Sequence, residues 1–140
     1  MKIVLDANIF ISSFFWGGNP KTVLERVITN LDDLFITREI LDEIIGVMER
    51  PKFHVSKDEI EYFIATIEEI AKKVVIKNSV KKGSRDKTDD KYIECGMTVN
   101  ADYIISGNTH LPELKQFKNI PILAPKEYLD IISISGRRKQ

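Results

Sequence analysis

A chain of 140 residues, 43% hydrophobic and 30% charged, has the size of one domain with one sizeable core. Its 21 Lys and Arg balance 21 Asp and Glu, so no whole-molecule field attracts a polyanion, and any nucleic-acid contact must come from local basic patches or bound cations. No segment approaches the roughly 18 apolar residues of a membrane span, and the lone Cys95 excludes an intramolecular disulfide, which predicts a soluble cytoplasmic protein with Cys95 as a small buried hydrophobe.

The first element is "KIVL" (residues 2–5), a strand-length apolar run broken at Asp6. Lys2 before apolar residues imitates a signal peptide, yet Asp6 and Asn8 interrupt the run and no small-residue cleavage site follows, so mature structure is expected here. Helical spacing covers 9–15 and 20–30, with Phe14, Phe15 and Trp16 concentrated at the end of the first helix. Core packing is expected of that cluster, with a subunit contact as the alternative. "LFIT" (34–37) reads as a strand and 38–49 as a helix striped by Ile40, Ile44, Val47 and Met48. Ser56 and Glu59 form a capping-box pattern opening a helix over 57–72, whose stripe is Ile60, Phe63, Ile64, Ile67 and Ile70.

"VVIK" (74–77) predicts a third strand, 89–100 a helix, "DYIIS" (102–106) a fourth strand, "IPIL" (120–123) a fifth and 125–132 a last helix. The expected domain is 1–132, with 133–140, ending in "GRRKQ", as a flexible basic tail. Alternating strands and helices with continuously apolar strands predict an α/β fold, a three-layer α/β/α sandwich around a mostly parallel five-stranded sheet.

Ligands in such sheets sit outside the carboxyl ends of the strands, where the strand order reverses. Asp6 follows the first strand there, and Asn108 follows the fourth at a comparable place. At about 100° per residue, Glu43 lies at the edge of its helix's apolar stripe, while Asp42 and Glu39 face away. On the 89–100 helix, Tyr92, Ile93, Gly96, Met97 and Val99 define the inward face, with Asp89 under its middle and Asp90 toward a flank. Taken alone, Asp89 and Asp90 are better explained by stabilisation of a helix start, with Thr88 or Asp86 as cap. Converging carboxylates raise one another's pKa unless a cation lies among them, and an oxygen-only donor set suits Mg²⁺ or Mn²⁺ rather than zinc. Such ions activate water for in-line attack on phosphorus, so the implied chemistry is phosphodiester hydrolysis.

"IVLDANIFIS", "TREILDEIIGVMERPKF", "DKTDDKYIECG", "ADYIISGNTHL" and "ILAPKEYL", in this order, resemble a PIN domain, and in particular the toxins of type II toxin-antitoxin systems. The resemblance implies a metal-dependent endoribonuclease with one or two Mg²⁺ or Mn²⁺ ions held by Asp6, Glu43, Asp89 with its neighbour Asp90, and Asn108. Asn8, Ser106 and Thr109 would be polar support. It implies a homodimer with an antitoxin partner, acting on single-stranded or structured RNA. The family usually has Asp where Asn108 stands, a change that keeps an oxygen donor and removes a charge. A catalytically weak or silent RNA- or protein-binding module is therefore the alternative.

Lys81, Lys82, Arg85 and Lys87 precede the Asp89 helix and are candidates for RNA phosphates, with a solvated loop as an equal alternative. His54 and His110 are isolated and are expected to be non-catalytic. "VLDAN" also partly resembles a haloacid-dehalogenase-like phosphatase, but that family needs a second Asp where Asn8 stands.

Overall fold

The computed structural model describes residues 1–76, 90–107, 116–117 and 120–138. Five parallel strands, β1 (Lys2–Leu5), β2 (Asp33–Ile36), β3 (Ala71–Lys73), β4 (Tyr103–Ile105) and β6 (Ile120–Leu123), form the sheet, and a short β5 (Gln116–Phe117) joins its edge antiparallel to β6. The strand order is β3-β2-β1-β4-β6-β5. Among the described residues six α-helices accompany them: α1 (Ala7–Phe15), α2 (Gly18–Ile28), α3 (Arg38–Met48), α4 (Lys57–Ile70), α5 (Asp90–Val99) and α6 (Pro125–Arg138).

The central strand explains the layering. Ile3, Val4 and Leu5 are consecutive and all buried. Successive strand residues point to opposite faces, so both faces of the sheet are covered. This is the expected α/β sandwich. α5 lies across β1, β2 and β4, while α1 packs on α2 and α3, and α2 on α6.

Capping residues fix where the helices begin. Asp6 and Thr37 accept from the backbone N–H of Ile9 and Ile40 at 3.1 and 3.3 Å. The capping box of α4 is complete: Ser56 N–H donates to Glu59 Oε1 at 3.0 Å, and Glu59 N–H to Ser56 Oγ at 3.1 Å. The Ser56 backbone N–H, and after it the Ser56 side chain, hold the Glu59 carboxyl below its ordinary pKa.

Three expectations are corrected. The third strand is Ala71–Lys73 and does not include 74–76, because α4 ends at Ile70 and passes directly into extended backbone at Ala71; residue 77, the last of the expected strand, lies outside the described residues. Being an outer parallel strand, it tolerates Lys72 and Lys73, which form ion pairs with Asp33 and Glu68. Val75, read as strand from its β-branched neighbours, is exposed beyond it. β5 was not expected, since two residues show no periodicity. Residues 133–138, expected as the start of a tail, continue the α6 backbone to Arg138, since each added helical residue gains a bond without needing an apolar stripe.

Candidate active site at the carboxyl end of the sheet

Strand order reverses between β1 and β4: the chain runs from β1 outward to β2 and β3, then returns through α5 to the other side of β1. The crevice such a reversal opens is bordered by Asp6, just past β1, and Ser106, just past β4. Asp6 is 2% exposed and Ser106 fully buried. The Ser106 hydroxyl donates to Asp6 Oδ2, and Asp6 Oδ1 accepts from Ile9 N–H at 3.1 Å. Asp6 N–H donates to Ile105 O at 3.1 Å, and Ser106 N–H to Leu123 O at 2.8 Å, tying both residues to the sheet. Burial of the Asp6 carboxyl group is tolerated because it is hydrogen-bonded through both oxygens.

Glu43 reaches the same place from α3. Tyr92 on α5 donates its hydroxyl to Glu43 Oε2 at 2.7 Å and accepts Ala7 N–H at 3.1 Å. One phenol thus latches the helical glutamate to the residue after Asp6. Burial raises the Tyr92 pKa above its ordinary value of 10.0, opposed by the Ala7 N–H bond and reinforced by the charges of Glu43 and Asp6. The hydroxyl is therefore a permanent donor at neutral pH. Lys91 forms an ion pair with Glu43 Oε1.

Of the residues expected here, Asp6, Glu43 and Ser106 come together, and exposed Asn8 is the second residue of α1. Asp90 opens α5, with its side chain outside the described atoms. Asp89, Asn108, Thr109, His110, Lys81, Lys82, Arg85 and Lys87 lie outside the described residues. His54 closes a short 3-10 turn, Pro51–Phe53, at a φ of 52°. Sequence reasoning missed the roles of Tyr92 and Lys91. Tyr92 carried a signal, because a tyrosine on an inward helix face needs a partner for its hydroxyl. Lys91 carried none that separates it from a solvated lysine.

Asp6 and Glu43 are hard oxygen donors, and the Lys91 ammonium on Glu43 shows that this carboxylate already attracts a cation. That chemistry fits Mg²⁺ or Mn²⁺. Among the described residues no group of three or more His, Cys, Asp or Glu side chains gathers to hold a metal, and further donors would have to come from outside them. No helix among the described residues is long and apolar enough to cross a membrane. Cys95 is buried, and burial pushes its thiol up to about 12, which fits a packing role.

Among curated proteins none matches the chain in sequence. In structure it is similar to a chain from the crystal structure of VapBC2 from Rickettsia felis bound to a DNA fragment from their promoter. The TM-score is 0.63 and the identity 14%, with 87% of this chain and 97% of that one covered. The fold is shared. The sequence profile of the PIN domain family matches residues 2–110, most of the chain and all of the described site, and the protein belongs to the PIN domain family.

Proposed function

We propose that the protein is a metal-dependent endoribonuclease and the toxin half of a toxin-antitoxin pair. The observation that carries this reading is the Tyr92 latch, which gathers Glu43 to the segment holding Asp6 at the sheet's switch point. Membership of the PIN domain family supports the nuclease class, and the likeness to a VapBC2 chain supports the toxin role and an antitoxin partner. The expectation of a homodimer rests on the resemblance to PIN-type toxins, and that of a cytoplasmic location on the lone Cys95.

Asp6 and Glu43 would hold Mg²⁺ or Mn²⁺, with Asp89, Asp90 and Asn108 as further donors. When bound, the ion supplies Lewis acidity at phosphorus and lowers the pKa of water. The chain's own part is positioning. Ser106 and the start of α1 fix both oxygens of Asp6, and Tyr92 fixes one oxygen of Glu43. Neither carboxylate has to reorganise when the ion arrives.

Purified protein is incubated with end-labelled single-stranded RNA in EDTA, Mg²⁺ and Mn²⁺, with Asp6→Asn alongside. Cleavage that requires the metal and is lost in Asp6→Asn is the expected result. Folded protein that cuts under no metal favours the silent binding module that Asn108 suggests.

A further inference from the structure

A groove of about 640 Å³ lies beside α1. Its lining includes Asn8 and Gly107, the residues next in line to Ala7 and Ser106. Trp16, Arg50, Lys52 and Phe53 also line it, as does Lys126 at the start of α6. Three features set it apart. First, its charge has one sign: Arg50, Lys52 and Lys126 line it, and no acid does among the described residues. A second groove, between α3 and α4, carries Glu49, Glu61 and Glu68.

Second, those three cations are exposed and none enters an ion pair among the described residues, whereas Arg26, Arg38, Lys72, Lys73 and Lys91 all do. Third, the wall is aromatic. Trp16 is 73% exposed, its ring 5.5 Å from that of Phe15, which stacks on Phe53 at 4.9 Å. The chain makes this display possible through Gly17, whose φ of 77° and ψ of −121° end α1 abruptly and leave Trp16 at the helix terminus.

Cations outside any ion pair among the described residues, with the Lys52 ammonium 5.1 Å from the centre of the Phe53 ring, and an exposed indole beside stacked rings are what a single-stranded nucleic acid requires, phosphates on the cations and bases on the rings. From this we infer that the groove along α1 is a binding track for single-stranded RNA. The track feeds the strand toward Asp6, and in that respect the inference rests on the nuclease reading. An acidic peptide would satisfy the cations and leave the indole without a purpose.

The test uses the full chain in EDTA, where binding is read without turnover. Trp16 is the only tryptophan, so its fluorescence reports the groove alone. A short oligouridylate is expected to quench it, and Trp16→Ala, read like the charge variants by the anisotropy of a dye-labelled oligouridylate, to weaken binding about five- to a hundredfold, as loss of one stacked base does. Combined Arg50→Ala, Lys52→Ala and Lys126→Ala should flatten the log-affinity against log-salt slope by about 2, at about 0.7 per single-strand phosphate. All four positions are at the surface, and unchanged melting temperatures confirm that the variants fold. Affinity and slope unchanged in both variants would overturn the inference, as would oligoglutamate competing as well as RNA. Cleavage in Mn²⁺ is scored separately. RNA bound in the groove but never cut refutes the nuclease reading alone, and RNA cut with binding unaffected by the variants refutes the track alone.

Discussion

The Tyr92 hydroxyl stands 2.7 Å from Glu43 Oε2 while receiving the backbone N–H of Ala7 at 3.1 Å, so α5 joins the α3 glutamate to the first residue of α1. The bond spans 49 residues of sequence and makes two carboxylates neighbours that no local rule brings together.

Tyr92→Phe keeps the ring and removes the latch. The buried Ala7 N–H is then unsatisfied, at a cost of about 1–3 kcal/mol in urea unfolding. Mn²⁺ affinity measured by calorimetry should also fall, because Glu43 loses its orientation. A variant equally unstable but with unaltered Mn²⁺ affinity would reduce Tyr92 to a packing role.

Mn²⁺ should raise the melting temperature of the protein, by an increment equivalent to about 2.7 kcal/mol at a hundred times Kd, and EDTA should reverse it. Asp6→Asn and Glu43→Gln should each abolish most of the rise. Lys91→Gln should tighten Mn²⁺ several-fold, since the ammonium on Glu43 no longer competes for the carboxylate.

Alkaline pH should destabilise the fold. Burial raises Tyr92 and Tyr128 above their ordinary 10.0, helped at Tyr128 by the Asp32 carboxylate, and raises Cys95 from 9.0 to about 12. The unfolded chain therefore releases these protons first. Their contribution is complete below about pH 9 and is lost as pH climbs toward the folded-state values. Urea midpoints taken at increasing pH should fall above that point, and less steeply in Tyr92→Phe.

Two glycines in helices should respond oppositely to alanine. Gly46 on exposed α3 surface has nothing within 4 Å of an added Cβ, so Gly46→Ala should stabilise by about 0.5–1 kcal/mol through helix propensity. At Gly96 the Cβ would meet Ile104 Cδ1 at 3.1 Å and Cγ1 at 3.3 Å, in a fully buried strand residue. Gly96→Ala should destabilise by about 1–3 kcal/mol, as overpacking does. Thermal unfolding of the pair checks both signs.

Much of the fold was legible because its signals are local. Ser56 and Glu59 announce the start of α4, and Ile3, Val4 and Leu5 announce a strand covered on both faces. The third strand was misplaced because Ala71–Lys73 is solvated on its outer side, where lysines cost little and apolar periodicity is not required. Of the site, Asp6 was legible as a charge breaking an apolar run at a strand end, and Glu43 as a carboxylate at the edge of an apolar stripe. Tyr92 stood visibly on the inward face of its helix, yet its partner was not readable from spacing.

The sequence by itself determined most of the elements, the parallel α/β class and the oxygen-rich character of the site, because capping, periodicity and burial preference act within a few residues. Only the tertiary structure decided which groups meet. The reversal of strand order between β1 and β4 sets Ser106 on Asp6, α5 lying across the sheet sets Tyr92 and Lys91 on Glu43, and the end of α1 at Gly17 sets Trp16 over a basic groove. Those contacts join residues tens of positions apart, and their geometry follows from the packing of whole layers rather than from the preference of any segment.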